Sequence, residues 1–428
     1  MRVGVVAGLL AIVAGMGVST PSDAAVGPLA VSTEAVFTKP TGTDAEQRAI
    51  VNRVISLIDG AAAGSRIRVA LFYADDPAIP TALVTAKNRG VSVQAIFDHR
   101  MADTGESAAI KAVWSQLTSG LGTDRSASSW VMTCPAGRGC VGTLKIGTVA
   151  AINHNKFFLF SNTSGTSNVV VQSSANLHNG RDGTKGYNNA LILTGHNAVF
   201  SAYEGYFGDM AALRSNNNYY DTGRPPVTDG TAKIHFYPRS TTASSQYRDP
   251  SEDTMYTVLD HIDCFGNTST GTTDNHRTII RVNQLAFTRP YLATKLAELD
   301  AAGCYVEVVM NYAPDNDPGV SLAEESLKDL LARTSSVYGG VVVRYYCEAD
   351  AVWTHSKYVM VEGKYYGVAD RKIVWTGSAN FSTNSLRQSD ETILQLEDST
   401  VFGQYLTDFR AARDNAFHQP ANGAAIAC

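Results

Sequence analysis

Thr354-His355-Ser356-Lys357-Tyr358-Val359-Met360-Val361-Glu362 leads, about a dozen residues on, to Val374-Trp375-Thr376-Gly377-Ser378-Ala379-Asn380-Phe381, and these two segments decide how the chain is read. His355 and Lys357 stand two apart on a run with strand character, so their side chains fall on one face. The second run ends in Gly-Ser-Ala-Asn, a turn able to carry its polar tip beside them. The pattern has already occurred about two hundred residues earlier. There Ile152-Asn153-His154-Asn155-Lys156-Phe157-Phe158-Leu159-Phe160 precedes Val169-Val170-Val171-Gln172-Ser173-Ser174-Ala175-Asn176-Leu177. A lone His-x-Lys carries no information. Two copies, each followed at nearly equal distance by Ser-Ala-Asn, read as a repeated catalytic half-site.

The elements around the half-sites repeat as well. Residues 44–60 place Ile50, Val51, Val54, Ile55 and Ile58 at helical spacing, and the apolar run 67–73 reads as a buried strand. A helix over 79–88 and a strand over 91–97 complete a βαβ unit with parallel strands and a right-handed crossover. The order returns as a helix at 255–260, a strand at 279–285, a helix at 291–302 and a strand at 305–310, and Ile-Arg-Val recurs at 67–69 and 280–282. Val199-Phe200-x-x-Tyr203-x-x-x-Phe207 matches Val401-Phe402-x-x-Tyr405-x-x-x-Phe409 position for position, each the core face of a helix. This predicts a duplicated α/β domain in one chain. Residues 40–215 form the N-terminal half, 216–232 the linker and 233–428 the C-terminal half, each a mostly parallel mixed sheet flanked by helices. Residues 101–150 fit the repeat least. They read as a helix through Ala108–Leu117 and a Gly/Ser-rich loop with Trp130, expected to wall the cleft.

With 428 residues, 44% of them hydrophobic and 18% charged, the chain can bury a large core in two domains. Residues 1–24 stand apart. Arg2 precedes an apolar stretch ending near Val18, and Ser22-Asp23-Ala24 supplies small residues for cleavage, so a secretory signal peptide is expected. No other stretch reaches membrane-spanning length. An even six cysteines suit an exported, oxidised protein. Cys134 and Cys140 bracket a tight loop and are expected to pair. Cys264 and Cys304 each end a helical stretch just before a strand, on one edge of a parallel sheet. Cys347 and Cys428 then pair by elimination. The formal net charge of -5, unchanged by loss of Arg2 and Asp23, argues mildly against a nucleic-acid substrate.

Two imidazoles can divide the cleavage of a phosphodiester. One attacks phosphorus and forms a phosphohistidine; the other protonates the leaving alkoxide and then deprotonates water. Lys156 and Lys357 would neutralise the non-bridging oxygens, with Asn176 and Asn380 as neutral donors and Ser174 and Ser378 as further substrate contacts. The chemistry needs no metal or other cofactor.

The doubled His-x-Lys, each followed by a strand and a Gly-Ser-x-Asn-like turn, resembles the phospholipase D superfamily over roughly residues 40–415. The resemblance implies two halves about a pseudo-two-fold axis with one composite site at their interface, His154 as nucleophile and His355 as acid. Departures are visible. The family's motif is His-x-Lys-x4-Asp, whereas the acidic position here holds Ser161 and Glu362, and the first turn lacks the glycine present at 377. Glu391 falls where the family places an acid that holds the opposite imidazole, and its first-half counterpart reads as Asn189. The tyrosyl-DNA phosphodiesterases of the family also lack the motif Asp and are active. The expectation is therefore a secreted phosphodiesterase, a monomer acting on a phospholipid at or near a membrane surface. An extracellular nuclease of the same superfamily, or a degenerate phosphate-binding relative, is the alternative.

Overall fold

The computed structural model describes Met1, Gly4 and residues 30–242, 246–312, 318–332 and 337–428. Apart from Met1 and Gly4, the signal peptide expected at 1–24 lies outside the described residues.

The apolar runs form two sheets. The first contains β1 (Glu34–Thr38), β2 (Arg66–Leu71), β3 (Ser92–Phe97), β4 (Trp130–Thr133), β5 (Lys156–Thr163), β6 (Thr166–Ser173) and β7 (Asn188–Leu193), in the order β1-β7-β6-β5-β2-β3-β4. The second contains β8 (Val227–Asp229), β9 (Ala232–Phe236), β10 (Ile279–Gln284), β11 (Tyr305–Tyr312), β12 (Val342–Cys347), β13 (Lys357–Tyr365), β14 (Val368–Gly377) and β15 (Thr392–Glu397), in the order β8-β9-β15-β14-β13-β10-β11-β12. Strand for strand, β1–β7 reappear as β9–β15, so the duplication inferred from the half-sites extends through the whole topology. Both sheets are mixed. The parallel pairs are those of the βαβ units, β2 with β3 and β10 with β11, each extended by one more parallel strand. The strands that carry the half-sites pair antiparallel.

Alternation along each strand gives both sheet faces something to bury. In β5, Phe157 and Leu159 belong to a central core, while Phe158 and Phe160 belong to the outer core with α1 (Ala49–Asp59), α2 (Ala78–Asn88) and α3 (Ala108–Leu121). In β13, Tyr358 and Met360 face the centre. Val359 and Val361 pack outward with α5 (Thr254–Asp260), α6 (Pro290–Ala301) and α7 (Pro318–Leu331). The central core lies between the sheets, filled by α4 (Asn197–Ala211) and α8 (Ser399–Asp414).

The repeated aromatic stripe is what joins the halves. Tyr203 of α4 packs edge-on to Phe157 of its own sheet (5.1 Å) and to Phe236 of the other (5.4 Å). Tyr405 of α8 does the same with Tyr358 (5.0 Å) and Phe37 (5.0 Å). Their hydroxyls keep partners too: Tyr203 OH donates to Gln172 Oε1 of its own half, and Tyr405 OH accepts from Asn189 Nδ2 of the other. Each tyrosine thus buries a large ring against both halves while its polar end keeps a partner.

All three expected disulfides are present: Cys134–Cys140, Cys264–Cys304 and Cys347–Cys428. The first shapes the irregular wall. Its loop aims the N–H groups of Cys140, Val141 and Gly142 at the carboxylate of Asp390, with Cys140 and Gly142 each at 2.6 Å. Asp390 belongs to the other half, one residue before Glu391, so the loop fixes the second half-site from across the interface. The approach requires glycine at 142, where a Cβ would lie 1.9 Å from the Gln388 carbonyl oxygen. Gly142→Ala is expected to lower stability by about 1–3 kcal/mol, as overpacking against backbone does. Denaturant unfolding checks this, and an unchanged midpoint would mean that the loop is not seated there.

Candidate active site

The two histidines meet at the ends of β5 and β13, and each is held by the opposite half. A backbone bridge pairs Asn153 with Asp390 and another pairs Tyr187 with Thr354. The His154 N–H donates to Asp390 O (3.0 Å), and the His355 N–H donates to Tyr187 O (2.8 Å). Side chains repeat the exchange. His154 Nδ1 lies 2.8 Å from Glu391 Oε1, and His355 Nδ1 lies 2.9 Å from Asn188 Oδ1. The amide partner is therefore Asn188, not the expected Asn189. Adjacent strand residues point to opposite faces. Asn189 turns into the interface, where its Nδ2 donates to Thr376 Oγ1 and Tyr405 OH.

The lysines are buried, Lys156 at 0% and Lys357 at 2% exposure. Each ammonium donates to the carbonyl of the histidine two residues earlier, Lys156 to His154 O (2.8 Å) and Lys357 to His355 O (2.5 Å). This internal bond holds the two ends of each His-x-Lys together. Burial lowers the pKa of Lys156 to about 8. Lys357 falls well below its ordinary value through burial and the nearby Lys156 charge. A site that gathers two desolvated cations favours an anion between them.

Burial lowers the pKa of His154 while Glu391 works the other way. His355 is lowered further, by burial and by Lys357, with only partial compensation from Asp182. Glu391 stays ionised. Burial opposes its charge, but His154 and Lys156 outweigh it and hold its pKa below normal. Among the acting charges on His355 are those of His154, Lys156 and Lys357, so all four motif residues share one electrostatic site.

The turns after β6 and β14 complete it differently from the expectation. Ser174 and Ser378 are not free substrate contacts. Both are fully buried: the Ser174 hydroxyl donates to Asn188 Oδ1 (2.9 Å), behind His355, while Ser378 Oγ accepts the Thr392 N–H (3.1 Å) and its hydroxyl donates to Glu391. Ser385, not singled out in the sequence, donates to Glu391 Oε1 (2.7 Å). Serines thus orient the groups that orient the imidazoles. Asn176 gives one amide N–H to Asp182 Oδ2 (2.9 Å). The oxygens Asn176 Oδ1 and Asn380 Oδ1 are buried without hydrogen-bond partners. Where the second turn has Gly377, whose Cβ would strike Thr392 O at 2.0 Å, the first has Ser173, whose hydroxyl bonds the equivalent carbonyl of Asn189 (3.0 Å). The first turn is re-satisfied rather than eroded.

Ser161 and Glu362 lie roughly 16 Å along their strands from the lysines, at about 3.3 Å per residue. Ser161 Oγ accepts the Arg66 N–H, and Glu362 pairs with Arg281. Neither bond involves an imidazole, so the departure at these positions leaves the site intact.

Sequence reading missed a cluster on the rim. His178 sits between Asp75 and Asp182, and Asp182 also accepts from Tyr73 OH. The two carboxylates overcome burial and raise the His178 pKa to about 9. The i,i+4 pair His178 and Asp182 just after the Asn176 turn was its only sequence trace. Among the described residues, the two groups at metal-ligand spacing contain disulfide-bonded cysteines, whose sulfurs are not available as thiolates.

A family sequence model described as "Cardiolipin synthase, PLD-like domain" matches residues 54–211 and 274–413, one segment in each half. The chain belongs to the phospholipase D superfamily. A search of curated proteins returns no match. Among solved structures, the phosphatidylserine synthase of Haemophilus influenzae is similar at 16% identity and a TM-score of 0.57, covering 89% of this chain and 86% of that one. The polyphosphate kinase of Porphyromonas gingivalis is similar at 11% identity and a TM-score of 0.52, covering 92% of this chain but only 53% of that chain. At such identities the likeness speaks for the fold.

Replacing the amide behind His355 by a carboxylate tests the electrostatics directly. Asn188→Asp adds a negative charge at the 2.9 Å contact with Nδ1 and favours the imidazolium. If His355 acts as the acid, the alkaline limb of the pH–rate profile is expected to move up by about 1 unit or more. An unmoved limb would show that His355 does not supply the proton.

Proposed function

We propose that the protein is a secreted, metal-independent phospholipase D, hydrolysing the headgroup ester of a phospholipid through a phosphohistidine on His154. The observation that carries this reading is the crossed pairing of His154 with Glu391 and His355 with Asn188, with a buried lysine beside each ring. Glu391 fixes the His154 tautomer with its proton on Nδ1, which frees Nε2 to attack phosphorus. The lysines bind the phosphate charge before and during attack. That same charge raises the proton affinity of His355, against the lowering by burial and by Lys357, so substrate binding itself favours the protonated acid. His355 protonates the leaving headgroup alcohol and then takes a proton from the water that releases phosphatidate. An added alcohol would compete with that water.

The choice of a lipid rests on charge. The chain's formal balance is -5, and the rim cluster of Asp75 and Asp182 around a protonated His178 keeps a net negative charge, which disfavours a long polyanion and favours a cationic headgroup. Incubation of the mature protein with a choline phospholipid and with plasmid DNA, both in EDTA, decides. Free choline is the expected product. Cleavage of DNA alone would replace the lipid reading by the nuclease one.

A further inference from the structure

A cavity of about 370 Å³ opens on the outer face of the second sheet, away from the interface helices. Ile234 and Phe236 of β9 point into the central core, so the alternating Lys233 and His235 point outward. Arg371 of β14 shares that face, and Tyr220, Arg239 and Tyr366 close the cavity around it. No residue of either His-x-Lys half-site lines it. Its volume lies in the range of small-molecule sites, about 300–1,000 Å³.

Three cations line this cavity and no carboxylate does. Arg239 pairs with Asp221 at 3.2 Å and Arg371 with Glu397 at 2.6 Å, both acids outside the lining, while Lys233 makes no ion pair among the described residues. His235 is only 3% exposed. Its Nδ1 meets Tyr220 OH at 3.1 Å, and its Nε2 has no partner. Burial, with Lys233 and Arg239 nearby, lowers its pKa to about 3, so the ring is neutral. In the tautomer that accepts from Tyr220, Nε2 carries the proton. A buried donor left unmade costs about 1–3 kcal/mol, which an anionic acceptor would recover. Tyr366 is 54% exposed, its ring stacked on His261 at 3.9 Å and set edge-on to Tyr365 at 4.7 Å.

We propose that this cavity is a second binding site, for a phosphate monoester joined to a planar ring. The phosphate lies among Lys233, Arg239 and Arg371 with His235 donating to it, and the ring stacks on Tyr366. A phosphate monoester carries nearly two negative charges at neutral pH and three acceptor oxygens, which suits three cations and a neutral N–H better than a carboxylate does. Calorimetric titration of the full chain with adenosine monophosphate, ribose 5-phosphate and adenosine tests it. Adenosine monophosphate should bind tightest. Lys233→Ala should weaken it tenfold or more, and Tyr366→Ala should weaken it while leaving ribose 5-phosphate unchanged. Both variants should keep full phosphodiester hydrolysis, which separates this site from the catalytic one. No saturable binding of adenosine monophosphate would overturn the proposal. So would binding untouched by Lys233→Ala but abolished by Lys357→Ala, because the ligand would then occupy the catalytic pocket. Equal affinity for ribose 5-phosphate and adenosine monophosphate would remove the ring.

Discussion

His154→Ala is expected to lose phosphodiester turnover by about 10⁴–10⁶-fold, the scale on which removal of a covalent nucleophile acts. The loss should appear in kcat with little change in KM, because Lys156 and Lys357 still bind the phosphate. Substrate labelled in its phosphate, mixed with the wild-type protein and quenched in alkali, where phosphoimidazoles survive, should leave label on the chain. Peptide mapping should place that label at His154, and the variant should carry none. The physical reason lies in the two partners. Glu391 is an ionised, buried carboxylate at 2.8 Å from His154 Nδ1, and it offsets the positive charge that develops as Nε2 bonds to phosphorus. Asn188 offers only an amide oxygen to His355, which orients the ring without stabilising a covalent cation to the same degree. Label found on His355 instead would reverse the two roles. Absence of label with turnover intact would remove the covalent step.

Much of this was legible in the sequence because the chemistry is written in short local spacings. His-x-Lys and Ser-Ala-Asn each span one strand end or one turn, and their recurrence at matching distances exposed the duplication before any strand was placed. The aromatic stripes at 199–207 and 401–409 were readable as core faces, but not as the layer between two sheets. A helix periodicity shows which side is buried and not what buries it. The error at Asn189 is a register error of one residue, which in a strand exchanges the two faces. Aligning Tyr187-Asn188-Asn189 with Asp390-Glu391-Thr392 would have avoided it, since Asn188 then falls opposite Glu391. The wall at 134–142 resisted reading for a different reason. Its organising partner, Asp390, lies 250 residues from Cys140 in the chain, and three N–H groups closing on one carboxylate leave no periodic trace. Nor could β12 be found from its half-site, for it forms the far edge of the sheet.

The effect of removing His355 should depend on the leaving group, and this separates an acid from a structural residue. A choline or ethanolamine headgroup departs as an alkoxide that needs a proton, so His355→Ala is expected to slow release by about 10²–10⁴-fold. A nitrophenolate departs without one. With a nitrophenyl phosphodiester, the variant should release one equivalent of nitrophenol in a rapid burst. It should then stall, because the same imidazole is needed to deprotonate the water that opens the phosphohistidine. The stalled protein should hold phosphate on His154 in near-stoichiometric amount. His355 is well placed for both steps: Asn188 fixes its ring through Nδ1 and Ser174 fixes Asn188, and a substrate phosphate bound between Lys156 and Lys357 would supply the field that keeps the proton on. Equal losses on the nitrophenyl and choline substrates, with no burst, would mean that His355 only supports the fold of the site. A burst from His154→Ala, with label then on His355, would instead assign the attack to the second half.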